Sequence, residues 1–171
     1  MFSLMALLGG FCEVQEGILM FNAQFTKTVT LTPAQIKSLI SSPTLLVAGE
    51  ANQIISLLSC FMLFNPGGTP FGTLVAGDAI SPVIGGTGAN AILSNNGLGV
   101  LATGFIDQAV PMGIWLNPFW VNTATPTPTA LRGASMFLTQ FNQSSGFPNG
   151  LDWTLGNGTL TVFVRYSFIR A

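Results

Sequence analysis

Hydrophobic and polar residues alternate with period two in two stretches of the chain. In the later stretch Leu160, Val162, Val164, Tyr166 and Phe168 fall on one face. Thr161, Arg165 and Ser167 fall on the other, together with Phe163 and Ile169. This alternation marks a half-buried antiparallel strand, and Gly156-Asn157-Gly158 supplies the turn that launches it. So apolar a strand must pair inside a sheet, because left free it would template aggregation. In the earlier stretch, over residues 25–31, Phe25, Lys27, Val29 and Leu31 alternate with Thr26, Thr28 and Thr30, which predicts the first strand. A short helix is expected next, running to Leu39. Thr32 is placed to cap it, Pro33 suits its first position, and Gln35 completes a capping box. Ser41-Ser42-Pro43 stops it.

Residues 44–48 resume extended chain, and residues 53–64 form a long apolar run whose periodicity fits a buried helix or a strand. The Asn65-Pro66-Gly67-Gly68 turn and the surrounding β pattern favour the strand. Short strands are predicted at residues 72–76, 79–84, 91–93 and 99–105, punctuated by Gly, Asn and Pro at the spacing of a sandwich or barrel. Residues 113–121 hold Trp115, Phe119 and Trp120 around Asn117-Pro118. Such aromatics serve as core at a strand edge, where Pro is tolerated, or as a sugar-binding platform. Residues 123–129 read as a Thr/Pro loop inside one domain, residues 135–141 as a strand, and residues 142–153 as a loop. The expected organisation is a single all-β antiparallel domain over residues 25–171, preceded by an apolar arm over residues 1–24.

Composition sharpens this picture. The chain has 171 residues, of which only 6% are charged, against about a quarter in ordinary proteins. Ser, Thr, Asn and Gln number 47 and take the place of ions as polar surface. A net charge of −1 leaves little repulsion between copies, which points to a subunit whose surface is covered by neighbours. Lys27, Lys37, Arg132, Arg165 and Arg170 form no cluster, so the basic patch of a nucleic-acid binder is missing.

The chain contains no histidine, which removes the commonest general base, the Ser-His and Cys-His pairs and the commonest metal ligand. Of Glu13, Glu16, Glu50, Asp78, Asp107 and Asp152, only the first two lie close in sequence, and isolated acids in turns are usually structural. No catalytic residue, metal site or cofactor is therefore expected. Gly86-Thr87-Gly88-Ala89-Asn90-Ala91, with Asp107 downstream, matches the spacing of a dinucleotide fingerprint. Pro82 is expected to interrupt the strand before it and Asn95-Asn96-Gly97 to break a helix after it, so it reads as a glycine-rich loop. Cys12 and Cys60 read as two buried thiols.

The arm lacks the basic residues of a secretory leader, and Phe11 stands before Cys12 where a small residue would be needed. Its apolar run is too short to span a bilayer. An apolar arm of this kind is expected to dock, preferably on a neighbouring subunit.

Val29-Thr30-Leu31-Thr32-Pro33-Ala34-Gln35-Ile36-Lys37-Ser38-Leu39, followed by Ser42-Pro43-Thr44-Leu45-Leu46-Val47, carries a resemblance. Asn117-Pro118-Phe119 and the ending Gly156-Asn157-Gly158-Thr159-Leu160-Thr161-Val162-Phe163-Val164-Arg165-Tyr166 reinforce it. Over residues 25–171 the chain resembles a family of small tailed-bacteriophage virion proteins with a jelly-roll or related β-sandwich fold. The arm departs from that pattern, in which the strand before the helix lies near the start.

The resemblance implies a capsid decoration (cement) protein, head fibre or tail component. It implies a homotrimer, a phage-head location, and the major capsid protein or another virion protein as partner. The expected interface residues are Phe2, Leu4, Leu7, Leu8 and Phe11 in the arm, with Trp115 and Trp120. The alternative is a tail or fibre adhesin for host-surface glycan, with Trp115, Trp120, Trp153 and Asp152 lining a solvent-facing groove.

Overall fold

The computed structural model describes residues 23–72, 74, 76–85, 100–116, 131–142 and 152–170. Its elements are β1 (Gln24–Leu31), α1 (Pro33–Lys37), β2 (Thr44–Val47), β3 (Gln53–Asn65) and β4 (Asp78–Ile84). They continue with β5 (Val100–Leu101), β6 (Met112–Leu116), β7 (Met136–Asn142) and β8 (Thr159–Arg170). One sheet has the order β1-β8-β3-β6 and the other β2-β7-β4-β5. Every pairing is antiparallel.

The pairs β1/β8, β2/β7, β3/β6 and β4/β5 are all hydrogen-bonded neighbours, so the chain is one long hairpin of four strands against four. Successive rungs of that hairpin fall in alternate sheets, and β3/β8 and β4/β7 zip the rungs together. This is the wrap of a jelly-roll sandwich.

The inward face of β8 is the one its alternation predicts. Leu160, Val162 and Val164 join Leu31, Met62 and Phe64 of the same sheet, and Leu46, Ile80, Ile84 and Leu138 of the other, in a single core. Each such side chain removed from water contributes about 1.5–3 kcal/mol. The non-alternating run in β3 has a local cause. The register with β8 shifts between Leu57 and Ser59, so Leu58 is an extra residue that faces solvent. Ile55 and Leu57 point inward before the bulge and Cys60, Met62 and Phe64 after it, a switch from odd to even positions. A second shift, between Leu45 and Val47, accompanies burial of both Leu46 and Val47.

The capping box forms as expected. The Thr32 N–H donates to Gln35 Oε1 at 2.9 Å, and the Gln35 N–H donates to Thr32 Oγ1 at 3.4 Å, with Pro33 in the first turn. The helix ends at Lys37, two residues early, because Ser38 already leaves helical geometry.

Pro82 does not interrupt its strand. The Ala102 N–H donates to the Asp78 carbonyl at 2.7 Å and the Gly85 N–H to the Ser135 carbonyl at 3.0 Å. Even positions of β4 therefore turn their backbone groups toward β5, and odd ones toward β7. Among the described residues β5 pairs with Ala79 and Ile80 alone, and the missing N–H of Pro82 falls on that side of β4, beyond those two pairs.

The strand expected at residues 99–105 is only two residues long. The Phe105 and Ile106 N–H groups both donate to the Ala102 carbonyl at 3.1 Å, turning the chain and burying both side chains. Residues 72, 74 and 76 carry no strand. The segments at 91–93 and 123–129 and the arm up to residue 22 lie outside the described residues. β8 starts where Gly156, at φ 110°, turns the chain; a Cβ there would lie 2.4 Å from the Phe71 ring.

Candidate interaction surface

The register that builds the first sheet also lines up its outward side chains. Thr28 pairs with Phe163, Phe163 with Phe61, and Phe61 with Trp115, so one row crosses β1, β8, β3 and β6. Three aromatic rings stand side by side in that row. The Phe61 and Trp115 centroids are 4.8 Å apart at 41°, and those of Phe61 and Phe163 are 5.9 Å apart at 36°. Both are ordinary aromatic contact distances. Trp115 is 67% exposed and Phe163 40% exposed, with Phe61 half-buried between them. A Cβ on Gly113 would lie 2.6 Å from Phe61 Cζ, so the Phe61 ring occupies the space that the glycine leaves empty.

The neighbouring rows are polar or aliphatic. Thr30, Thr161 and Leu63 form one, with the two threonine hydroxyls 3.1 Å apart. Thr26, Arg165 and Ser59 form the next, and the Arg165 guanidinium donates to Gln24 Oε1. Arg165 is the only ionisable side chain at the outward positions of the four strands. Across all four strands Lys27, Arg165 and Arg170 are present and no acid is.

Of the expected interface residues, Trp115 stands on this face, while Phe2, Leu4, Leu7, Leu8, Phe11 and Trp120 lie outside the described residues. The sequence reading did not single out Phe61 and Phe163. For Phe163 the signal was an aromatic on the strand face that otherwise carries Thr, Arg and Ser; Phe61, inside the apolar run of β3, gave none.

The groove proposed for glycan binding is corrected at one wall. Trp153 is 2% exposed and belongs to the core, where its Nε1–H donates to Asp78 Oδ2 at 3.2 Å and its ring meets Phe71. An indole N–H needs such a partner to be buried, and the Asp78 carboxylate supplies it. Asp152, its exposed neighbour, accepts from the Ser41 N–H at 3.2 Å and from Ser41 Oγ at 2.5 Å.

The remaining described acids are engaged in their own turns. Asp107 accepts from the Gly104 N–H at 2.7 Å, and Glu50 accepts from Gln53 Nε2 at 2.9 Å. No group of three or more potential metal ligands occurs among the described residues. Cys60 is a buried free thiol whose pKa burial pushes up to about 12, so it is protonated and inert at neutral pH. The glycine-rich stretch at 86–91 lies outside the described residues. The strand leading to it is antiparallel to both its neighbours, unlike the parallel βαβ unit of a dinucleotide site. Among the described residues no helix is long and apolar enough to cross a membrane.

Fold and surface together define a jelly-roll protein with an exposed aromatic row and no assembled catalytic constellation among the described residues. No protein-family model and no curated protein matches the chain. Among solved structures it is similar to a chain of the "Structure of infectious bursal disease virus Gx strain", at 15% identity and a TM-score of 0.22. That likeness covers 86% of this chain and 34% of the other, so this chain spans about a third of its length. The fold assignment rests on the strand order alone.

Proposed function

We propose that this chain is a non-enzymatic structural subunit of a virion, a decoration protein that stabilises the head of a tailed phage through subunit–subunit contacts. It works as a homotrimer seated on the major capsid protein or another virion protein. The observation that carries this reading is the Trp115–Phe61–Phe163 row, an apolar strip open to water on a face with a single charge. Apolar surface of that kind is the usual mark of an interaction site. Few charges also mean little desolvation to offset when two such faces meet. Jelly rolls recur in viral capsids, and the sequence pattern of residues 25–171 resembles phage virion proteins. Closed rotational symmetry lets three copies satisfy identical patches at a threefold position.

The test is co-sedimentation of the purified full chain with tailed-phage heads from the same source that lack it. Saturable binding is expected, with Trp115→Ala reducing the bound copies at least tenfold. Absence of binding to heads would sink the decoration role.

The exposure of Trp115 on a face that also carries the polar Thr28, Ser59 and Arg165 favours the second reading, an adhesin that stacks a sugar ring on the indole. Saturable binding to a glycan array, lost in Trp115→Ala, together with no binding to heads, would select it.

A further inference from the structure

We propose that the aromatic row on the first sheet is the seat for the apolar N-terminal arm, residues 1–22, of a second copy of this chain. This deepens the assembly reading above and rests on it. Four observations converge on that occupant.

The first is chemistry. The arm carries Phe2, Leu4, Leu7, Leu8 and Phe11, which leave water only against apolar surface. Trp115 and Phe163 offer such surface on the described body.

Charge is the second. The arm holds Glu13 and Glu16 and no Lys or Arg. The receiving face holds one charge, Arg165, and no acid. Segment and seat are thus complementary in sign, and Arg165 borders the row directly.

The third is direction. Gln24 pairs with Ser167 and Phe25 with Tyr166, so toward its N-terminus β1 runs along β8 in the direction of that strand's C-terminal end. The row lies the other way, at Thr28. Gln24, where β1 begins, thus lies four residues along the strand from the row, on the side away from it.

Length is the fourth. Twenty-two extended residues reach roughly 70 Å, against ~40 Å for β8, the longer dimension of the face. The arm is long enough to leave one sandwich and cross the row of the next. Each copy then gives one arm and receives one, a heterologous contact that closes into a ring.

The experiment uses the full-length chain with Trp115→p-benzoylphenylalanine, irradiated after purification and run on a denaturing gel. The expected product migrates at twice the chain mass, and its cross-linked peptide maps within residues 1–22. An adduct at single-chain mass that includes an arm peptide would mean the arm folds back on its own body and would overturn the proposal. So would an adduct to any peptide outside residues 1–22, or no adduct at all. In a companion chain lacking residues 1–22, the double-mass product is expected to fall at least tenfold with the thermal midpoint unchanged; an undiminished product overturns the proposal. Co-sedimentation with heads separates the two ideas. If the cross-link fails while head binding persists, the seat is wrong and the decoration role stands.

Discussion

The two sheets share one core but treat their outer faces in opposite ways. In β4, a central strand of the second sheet, all seven residues are buried, including the outward Ala79, Ser81 and Val83. In β8, a central strand of the first, burial alternates, and outward Phe163 and Arg165 meet solvent. Part of the cover on the second sheet is visible. Thr139 Oγ1 on the outward side of β7 donates to the Leu39 carbonyl, in the turn after α1. The first sheet has an aromatic row and, among the described residues, no such lid over it. One face is covered within the subunit, and the other shows its aromatic row to solvent.

The sharpest way to break this comparison is to place a carboxylate on each outer face. Val83→Asp buries a charge at a position with 0% exposure and is expected to cost about 4 kcal/mol or more, much of the stability of a domain this size. Phe163→Asp on the first sheet is expected to cost about 1 kcal/mol or less, the scale of strand propensity. Urea titrations of both variants measure the contrast. Equal losses would show that the first sheet's outer face is as much a part of the folded core as the second's.

The interior that both sheets share can be probed through pH. Cys60 faces the core while its neighbour Phe61 faces solvent. The folded thiol keeps its proton up to about 12, whereas in the unfolded chain it ionises near its ordinary value of 9.0. Between those values the unfolded state binds fewer protons, so stability falls as pH rises above 9, by up to about 1.4 kcal/mol per unit. Cys60→Ala should flatten that alkaline limb in denaturant titrations at pH 8 to 11. In the native protein at pH 8 the thiol should resist alkylation.

The smallest effect is expected at Gly113. A methyl there displaces the Phe61 ring tip, which can move, so stability should change by only about 0.5 kcal/mol. The 4.8 Å contact between Phe61 and Trp115 should change more, and Trp115 fluorescence reports it. An unchanged spectrum would mean that Phe61 does not set the indole's environment.

Legibility in the sequence followed these same differences. β8 was readable because one face is wet and the other dry, and a two-residue period marks that asymmetry; β1 alternates in sequence but turns only Val29 and Leu31 away from water. The capping box around Thr32 and Gln35 was readable because all its atoms lie within four residues. The rest was obscured by distant partners. The bulge at Leu58 hid the period of β3, and its placement depends on pairing with Ser167 through Arg165 across the sheet. Pro82 looked like a break because the side of β4 toward which its missing N–H falls cannot be read from β4 alone. Trp153 looked available for a ligand because its partner Asp78 is 75 residues away.

The sequence by itself determined an all-β chain, the strands at its two clearest alternations, the capped helix between β1 and β2, and a surface nearly without charge. Those properties reside in single residues and short spacings. Only the tertiary structure decided the jelly-roll order, the burial of Trp153, and the meeting of Phe61, Trp115 and Phe163. Each of these is a relation between residues tens to a hundred positions apart, and cross-strand register, which no local pattern encodes, is what brings them within contact distance.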